Sequence, residues 1–375
     1  MKKIFYVFSI DYQLISHRKA VVQAAIQKGY NVTVVAQDTG YRKEIESMGA
    51  KFIDLPINRV GTNILEELKT FFFLFKLYKN HKPDLVHHIS IKVVLWGALA
   101  ARLAKVKNVV NAVNGLGVFF STGEVDSLIK KIFMQLIRFS NNRKKCVTIF
   151  QNNEDKHFFL SNKALKESQI RIIRGSGVDL NEFKFSEPPL EFPLKIVFTS
   201  RMVKEKGVED IINAAKLLKN KYFDKIQFLL CGLIETNPNA VSESYLQSEC
   251  DGDYIQYLGH CTNIKDILSK SSIVLLPSYY REGIPKSLIE ATAIGRPIIT
   301  TNSVGCRETV EDGKNGFIVP IKSPEEIANK IEALVSNLDL IPKMGKESRL
   351  LSEKEFSIDI VIDKHLQIYS ELINS

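Results

Sequence analysis

No stretch of this sequence approaches the roughly 20 consecutive apolar residues that a helix needs to cross a bilayer. The amino terminus, MKKIFYVFSIDYQ, opens like a secretion signal, with two lysines ahead of apolar residues. The apolar part is short and meets Asp11 instead of a small-residue cleavage site, so a first strand is expected there. Cysteine is sparse: the five are scattered, with no C-x-x-C pair and no metal-ligand spacing. Free structural thiols in a reducing compartment are expected. Glycine is missing from the loop expected after the first strand, residues 9–18. That excludes the G-x-G-x-x-G turn, and with it NAD or FAD binding. The P-loop, the H-E-x-x-H zinc helix and the G-x-S-x-G nucleophile elbow are absent too. Acidic residues are outnumbered by basic ones, 42 against 51, which leaves a formal charge of +9. An excess of this size points to an anionic partner: nucleic acid, acidic lipid or a phosphorylated ligand. Nucleic acid is set aside, because no motif for it appears and aromatics do not interleave with the basic runs.

What is present is ordinary for a globular protein, 45% hydrophobic and 25% charged, in 375 residues, a length that favours two domains over one core. Short β-rich runs alternate with helix-length segments. In the first half these are KIFYVFSI, NVTVVAQ, KFIDLP, LVHHIS, NVVNAVN, CVTIFQN and IRIIRG, with helices near 17–29, 63–80, 93–104 and 126–141. The alternation predicts βαβ units and a parallel sheet. It breaks at SEPPLEFP, 186–193, a proline-stiffened connector, and restarts with LKIVFTS, IQFLLCG, YIQYLG, SIVLLPS and PIITT. The expectation is an α/β chain of two doubly wound, Rossmann-like domains facing each other across a cleft. Residues 1–187 make the first and 188–355 the second, with a last helix at about 356–375 packing back on the first. Ligands of such sheets bind beyond the carboxyl ends of the strands.

Two constellations fall at such ends. In YYREGIPKSLIEATAIGRP, 279–297, Glu282 sits in a glycine-containing turn and Glu290 on the helix that Pro285 opens. Glu282 is placed to accept hydrogen bonds from ligand hydroxyls, and Glu290 can take two hydroxyls at once, as an acid does with a ribose diol. A wet surface pair of Glu290 with Lys286 is the competing reading. In FTSRMVKEKGVED, Arg201 and Lys206 follow a strand end and suit a diphosphate, unless Glu205 and Glu209 neutralise them in a solvated turn. In NGLGVFF, Gly115 and Gly117 suggest a tight backbone approached by a phosphate. Residues 126–146 form a basic amphipathic pattern able to lie on an anionic bilayer, and 68–83 is also rich in apolar residues expected to be exposed; burial of both as crossover helices is the alternative.

The second half resembles the nucleotide-sugar half of the retaining family-four glycosyltransferases, which have the GT-B fold. The likeness rests on Glu282 and Glu290 spaced as E-x7-E, on Arg201 and Lys206 in SRMVKEKG, and on GSGVDLNEF and VEDGKNGFIVP, all in order over most of 170–335. The first half looks like members that extend lipid-linked bacterial surface glycans. The resemblance implies catalytic roles for Arg201, Lys206 and Glu282. It implies donor binding by Glu290, Gly283, Ile284, Pro285, Lys286, Ser287, Gly232 and His260. His17, Arg18, Asn114, Gly115 and Gly117 fall on the acceptor or phosphate side. The family's histidine before the glycines is replaced here by Asn114, and His17 is the substitute candidate. No metal and no cofactor is implied; a UDP- or other nucleotide sugar is the co-substrate. The sugar moved is an N-acetylhexosamine or hexose. The acceptor is a polyprenyl-diphosphate-linked glycan, in surface polysaccharide or glycoprotein glycan assembly. The site of action implied is cytoplasmic, peripheral on the inner face of an anionic membrane. A non-hydrolysing nucleotide-sugar epimerase and a non-catalytic nucleotide-sugar binder remain as alternatives.

Overall fold

The structure is a computed structural model that describes residues 1–58, 63–116, 127–235 and 239–374. The chain divides into two units, Met1–Ser176 with Ile358–Ser375, and Gly177–Ser357. The proline stretch 186–193 therefore belongs inside the second unit and is not the link between the two. It is tied there by hydrogen bonds: Ser186 N–H donates to Ile294 O and Ser272 Oγ to Pro189 O.

In the first unit, β1 (Lys3–Ile10), β2 (Asn31–Gln37), β3 (Lys51–Asp54), β4 (Leu85–Ile89), β5 (Asn108–Val113), β6 (Cys146–Phe150) and β7 (Ile170–Ile172) form a sheet ordered β3-β2-β1-β4-β5-β6-β7. Every pairing is parallel. Strand order reverses between β1 and β4, which is where such sheets open a ligand crevice. The central strands read as unbroken apolar runs because helices cover both of their faces. Ile4, Tyr6 and Phe8 of β1 pack with Val21 and Val22 of the helix Lys19–Gln27 and with Val361 and Ile368 of Ile358–Asn374. Phe5 and Val7 point the other way, onto Leu74, Leu77 and Val93 of helices Ile64–His81 and Ile91–Leu103. The alternation along one strand thus serves two cores.

Residues 9–18, expected as a loop, instead hold the helix Asp11–His17, which begins directly at the end of β1. Buried Asp11 explains this: its carboxylate accepts the N–H of Tyr12, Thr39 and Tyr41, fixing the chain's turn out of the sheet. The helix expected over 17–29 is broken at Arg18.

In the second unit, β8 (Leu194–Thr199), β9 (Ile226–Cys231), β10 (Ile255–Tyr257), β11 (Ile273–Leu276), β12 (Ile298–Thr301) and β13 (Gly316–Val319) are ordered β10-β9-β8-β11-β12-β13. Order reverses between β8 and β11. The edge strand β13 was not expected, since four residues behind the turn at 311–315 carry too little pattern. The cysteines also depart from expectation: Cys231 and Cys261 form a disulfide, while Cys146, Cys250 and Cys306 are free. Thirty residues separate the pair in sequence, but β9 and β10 are neighbours and bring their Cα atoms to 6.1 Å.

Arg296 is the largest fully buried side chain. Its guanidinium donates to Leu268 O, Ser269 O, Ile294 O, Gly295 O, Ser186 O and Ser186 Oγ. The first four are carbonyls at the carboxyl ends of helices Ile264–Ser269 and Lys286–Ile294, the negative ends of their dipoles. One cation so satisfies the last turns of two helices and the 186–193 stretch. Arg296→Met leaves these carbonyls buried and unpaired and is expected to cost about 3 kcal/mol in denaturant unfolding. A loss under about 0.5 kcal/mol, typical of a surface change, would contradict the assignment.

Candidate active site

The site in the second unit grows from the switch between β8 and β11. These strands pair in parallel, Ile273 with Ile196 and Val274 with Val197, so the segments leaving their carboxyl ends are neighbours. After β8 the chain passes Arg201, makes one 3-10 turn at Lys204–Lys206, and enters the helix Val208–Tyr222. After β11 it runs through 277–285 into the helix Lys286–Ile294. Two bonds lace the segments together: Tyr279 N–H to Glu205 O at 2.9 Å, and Ser278 Oγ to Glu205 O at 3.1 Å.

That lacing brings Lys206 to Glu282, with Nζ 2.5 Å from Oε1. The lysine side chain is 6% exposed and the carboxylate 19%. Ser278 Oγ also donates to Glu282 Oε1, and the ring of Tyr280 lies 5.8 Å from Nζ. Arg201, at the mouth, is held by Glu235 from the segment after β9, at 3.0 and 3.1 Å to its two oxygens. The neutralising partners are thus not Glu205 and Glu209. Glu205 accepts from Asn239, and Glu209 lies 3.9 Å from Lys204. Glu290 does pair with Lys286, at 3.3 Å, but not on a wet surface: it is only 8% exposed. Burial pushes its carboxyl above the ordinary glutamate range, against the pull of Lys286. A carboxylate kept in such a place is short of water and ready for ligand hydroxyls.

Gly283, Ile284 and Pro285 are buried, and Lys286 and Ser287 half-buried, around these groups. Gly305, which sequence reasoning missed, holds the turn from the far side. It has φ +85°, and a Cβ there would stand 1.9 Å from the Gly283 carbonyl oxygen. At Gly232 the backbones also approach closely: a Cβ there would stand 1.7 Å from Ser200 O. His260 is exposed beyond β10 and joins none of the charged pairs. Glu235, Ser278 and Tyr280 were also missed, and none stands in a pattern that spacing would pick out. Cys306 is buried nearby, its thiol pushed up to about 11 by burial and by Glu282, so it is no thiolate nucleophile.

Among the described residues no group of three His, Cys, Asp or Glu side chains is placed to hold a metal. The sequence does hold one D-x-D triplet, Asp251, Gly252 and Asp253. Its first carboxylate accepts the N–H of Asp253, Tyr254 and Ile255 and pairs with Lys219, which makes it a turn support.

In the first unit, Arg18 and Asn114 meet: Nη2 donates to Oδ1 at 3.2 Å, and Gln151 Nε2 donates to the same oxygen at 3.1 Å. Gly115 follows with φ +98°. Exposed His17 ends the helix Asp11–His17, with its carbonyl accepting from Arg18. Gly117 lies outside the described residues. The helix Ser127–Asn141 divides its apolar residues. Phe133, Met134 and Ile137 enter a core, whereas Ile129, Ile132 and Phe139 are about half exposed beside Lys131 and Arg138. In Ile64–His81, Leu74, Leu77 and Tyr78 are buried, while Ile64, Leu65, Leu68 and Phe72 are exposed. Each helix therefore buries one face in the core, as the crossover reading expects, and leaves the other exposed. No helix among the described residues is long and apolar enough to cross a membrane.

Known proteins resemble the chain across both units. The family model "Glycosyl transferases group 1" matches residues 180–350, and "Glycosyl transferase 4-like" matches 3–152. The chain is 26% identical, over 96% of both chains, to the N,N'-diacetylbacillosaminyl-diphospho-undecaprenol alpha-1,3-N-acetylgalactosaminyltransferase of Campylobacter jejuni. It is 27% identical to the UDP-Gal:alpha-D-GlcNAc-diphosphoundecaprenol alpha-1,3-galactosyltransferase of Escherichia coli, over 92% of this chain and 90% of that one. A glycosyltransferase from Rickettsia africae shares the fold with a TM-score of 0.80 at 22% identity, covering 99% of this chain and 98% of that one. With a group 1 carboxyl-terminal half, a 4-like amino-terminal half and two parallel-sheet units between them, the chain belongs to the GT-B glycosyltransferases and is an enzyme of that family.

Proposed function

We propose that this enzyme transfers an N-acetylhexosamine or hexose, with retention of configuration and without a metal, from a UDP-type nucleotide sugar to a glycan carried on a polyprenyl diphosphate. The product belongs to surface polysaccharide or glycoprotein glycan assembly. The observation that carries the donor half is the buried Lys206–Glu282 pair at the strand switch, with Arg201 and buried Glu290 beside it. The acceptor half is supported by the two bacterial relatives, both named for undecaprenyl-diphosphate-linked sugars.

In this reading Arg201 and Lys206 leave their carboxylates for the donor's diphosphate. The bond from the sugar's anomeric carbon to phosphate oxygen breaks, and its electrons stay on that oxygen, where the two cations stabilise the growing charge. The acceptor hydroxyl attacks the same face and passes its proton to the departing phosphate. Glu282, freed from Lys206, accepts from the transferred sugar's hydroxyls. Glu290 holds the ribose, whose hydroxyls restore hydrogen bonds that burial has taken away. The exposed apolar and basic residues of Ser127–Asn141 rest on the anionic inner face of the membrane that carries the acceptor, as a peripheral contact.

Michaelis curves with donor varied, in excess EDTA, test these roles. Activity persists in chelator. Lys206→Ala lowers kcat by roughly 2–4 kcal/mol of barrier, the cost of losing one transition-state donor. Glu290→Gln acts on donor KM, because the ribose does not change during reaction. The pH dependence follows from the direction of the Glu290 shift. A carboxyl raised in the folded protein favours the protonated fold, so its stabilising effect is present at low pH and lost as pH rises through the raised value. Donor binding runs the opposite way, because it draws on the ionised form. Donor KM therefore rises on acidification, beginning above the ordinary glutamate range, and Glu290→Gln abolishes that limb. An unchanged KM in Glu290→Gln, or a silent Lys206→Ala, would contradict the assignment.

Vesicle binding tests the membrane contact. Replacing Lys130, Lys131, Arg138 and Lys144 with Gln weakens binding to anionic vesicles, at about 1 kcal/mol per residue, with little change in Tm. Equal binding before and after would remove the basic face from the account.

A further inference from the structure

The bond between Cys231 and Cys261 stands in a chain that keeps Cys146, Cys250 and Cys306 as free thiols. One disulfide in 375 residues is not a scaffold. Nor does the sheet need it: β9 and β10 are already paired in register, Phe228 with Ile255, Leu229 with Gln256 and Leu230 with Tyr257. What the bond holds lies past the strands. Leu258, His260 and Thr262 are exposed, and among the described residues none of their side chains forms a hydrogen bond or an ion pair. The backbone gives this loop two ties to the end of β9, Leu258 N–H to Leu230 O and Gly232 N–H to Gly259 O, each at 2.8 Å. Its side-chain tie is Cys261.

The other end of that tie lies close to the cation at the mouth of the site. Ser200 N–H donates to Cys231 O at 3.0 Å and Met202 N–H to Leu233 O at 2.8 Å, on either side of Arg201. Glu235, further along the same segment, holds the Arg201 guanidinium. The segment leaving β9 is thus shared between Arg201 on one side and the loop after β10 on the other. The two sulfurs differ in access. Cys231 is 1% exposed, whereas Cys261 is half-buried, so a thiol or disulfide arriving from solution meets Cys261 first.

We propose that Cys231 and Cys261 form a reversible thiol modification site, oxidised by a low-molecular-weight disulfide and reduced by a dithiol, which clamps the loop after β10 to the segment that steadies Arg201. In oxidation the Cys261 thiolate attacks the small disulfide and expels one thiolate, leaving a mixed disulfide. The Cys231 thiolate then attacks Cys261 Sγ and expels the second. Two electrons leave the protein, and the two cysteine protons end on the two small thiols. A dithiol reverses this by attacking Cys261 Sγ, expelling the Cys231 thiolate and closing to its own disulfide. For its consequence the inference rests on the donor reading, in which Arg201 meets the diphosphate and His260 lies on the donor side. A clamped loop is ordered before the nucleotide arrives, and a released one must be ordered on binding, which weakens affinity.

The full chain is treated with glutathione disulfide or with dithiothreitol and compared. Peptide mapping is expected to find residues 231 and 261 linked after the first and free after the second. Hydrogen exchange over 258–263, measured without ligand, is expected to quicken on reduction. UDP affinity by calorimetry is expected to fall about fivefold on reduction and to recover on reoxidation. Cys261→Ser should hold the protein in the weaker state and remove the response to either reagent, while Cys250→Ser should keep it. No 231–261 link after oxidation, equal exchange in the two forms, UDP affinities within about twofold of each other, or a response that survives Cys261→Ser overturns the proposal. UDP binding to neither form is a failure of the donor reading alone. Peptide mapping and hydrogen exchange need no nucleotide, and they then decide the clamp by themselves.

Discussion

The second unit is organised around one ion pair, Lys206 with Glu282, buried where the strand order reverses. Taking two charges out of water costs about as much as their attraction returns, so such a pair adds little net stability. Its surroundings nevertheless hold it from every side. Ser278 hydrogen-bonds the carboxylate, Glu205 O ties the lysine's turn to the segment after β11, and Gly305 lets a third segment press against Gly283. Arg296 fixes the far end of the helix that carries Glu290. Structure spent on a pair of low intrinsic worth is consistent with a site that must present a lysine and a glutamate at one distance, ready to be parted by a ligand.

The neighbouring charges follow the same rule. Arg201 is held by Glu235 and Glu290 by Lys286. In the proposed reading one member of each pair binds the nucleotide sugar and the other keeps it in place meanwhile. Selectivity would follow from that reading, because a ligand must replace several pairs at once. A lone phosphate offers nothing to Glu282 or Glu290, and a neutral sugar offers nothing to Arg201 or Lys206. Arg18 in the first unit departs from this rule. There no ion-pair partner stands among the described residues, and Arg18 Nε is buried without a hydrogen-bond partner.

Much of the fold was legible in the sequence, because buried parallel strands leave unbroken apolar runs such as SIVLLPS and PIITT. For the proposed donor side, Arg201, Lys206, Glu282 and Glu290 stood out because they lie beside glycine and proline punctuation at strand ends. Other features left no local trace. β13 is too short to show a period. The helix Asp11–His17 owes its place to Asp11 binding residues 39 and 41, which no window around 11 contains. The Cys231–Cys261 bond depends on β9 and β10 being neighbours, and Glu235 on the return of the segment after β9 to Arg201. The burial of Arg18 and Glu290 was equally hidden, since burial belongs to the assembled unit.

The most direct measurement is the affinity of free nucleoside diphosphate for Glu282→Gln, compared with the unmodified enzyme by calorimetry. If Glu282 holds Lys206 in the donor-free state, removing its charge frees the lysine, and UDP binds about tenfold tighter; the intact nucleotide sugar gains less, having lost its own contact with Glu282. Weaker or unchanged UDP binding in Glu282→Gln would contradict the account, because Lys206 would then not be a cation that the diphosphate takes over.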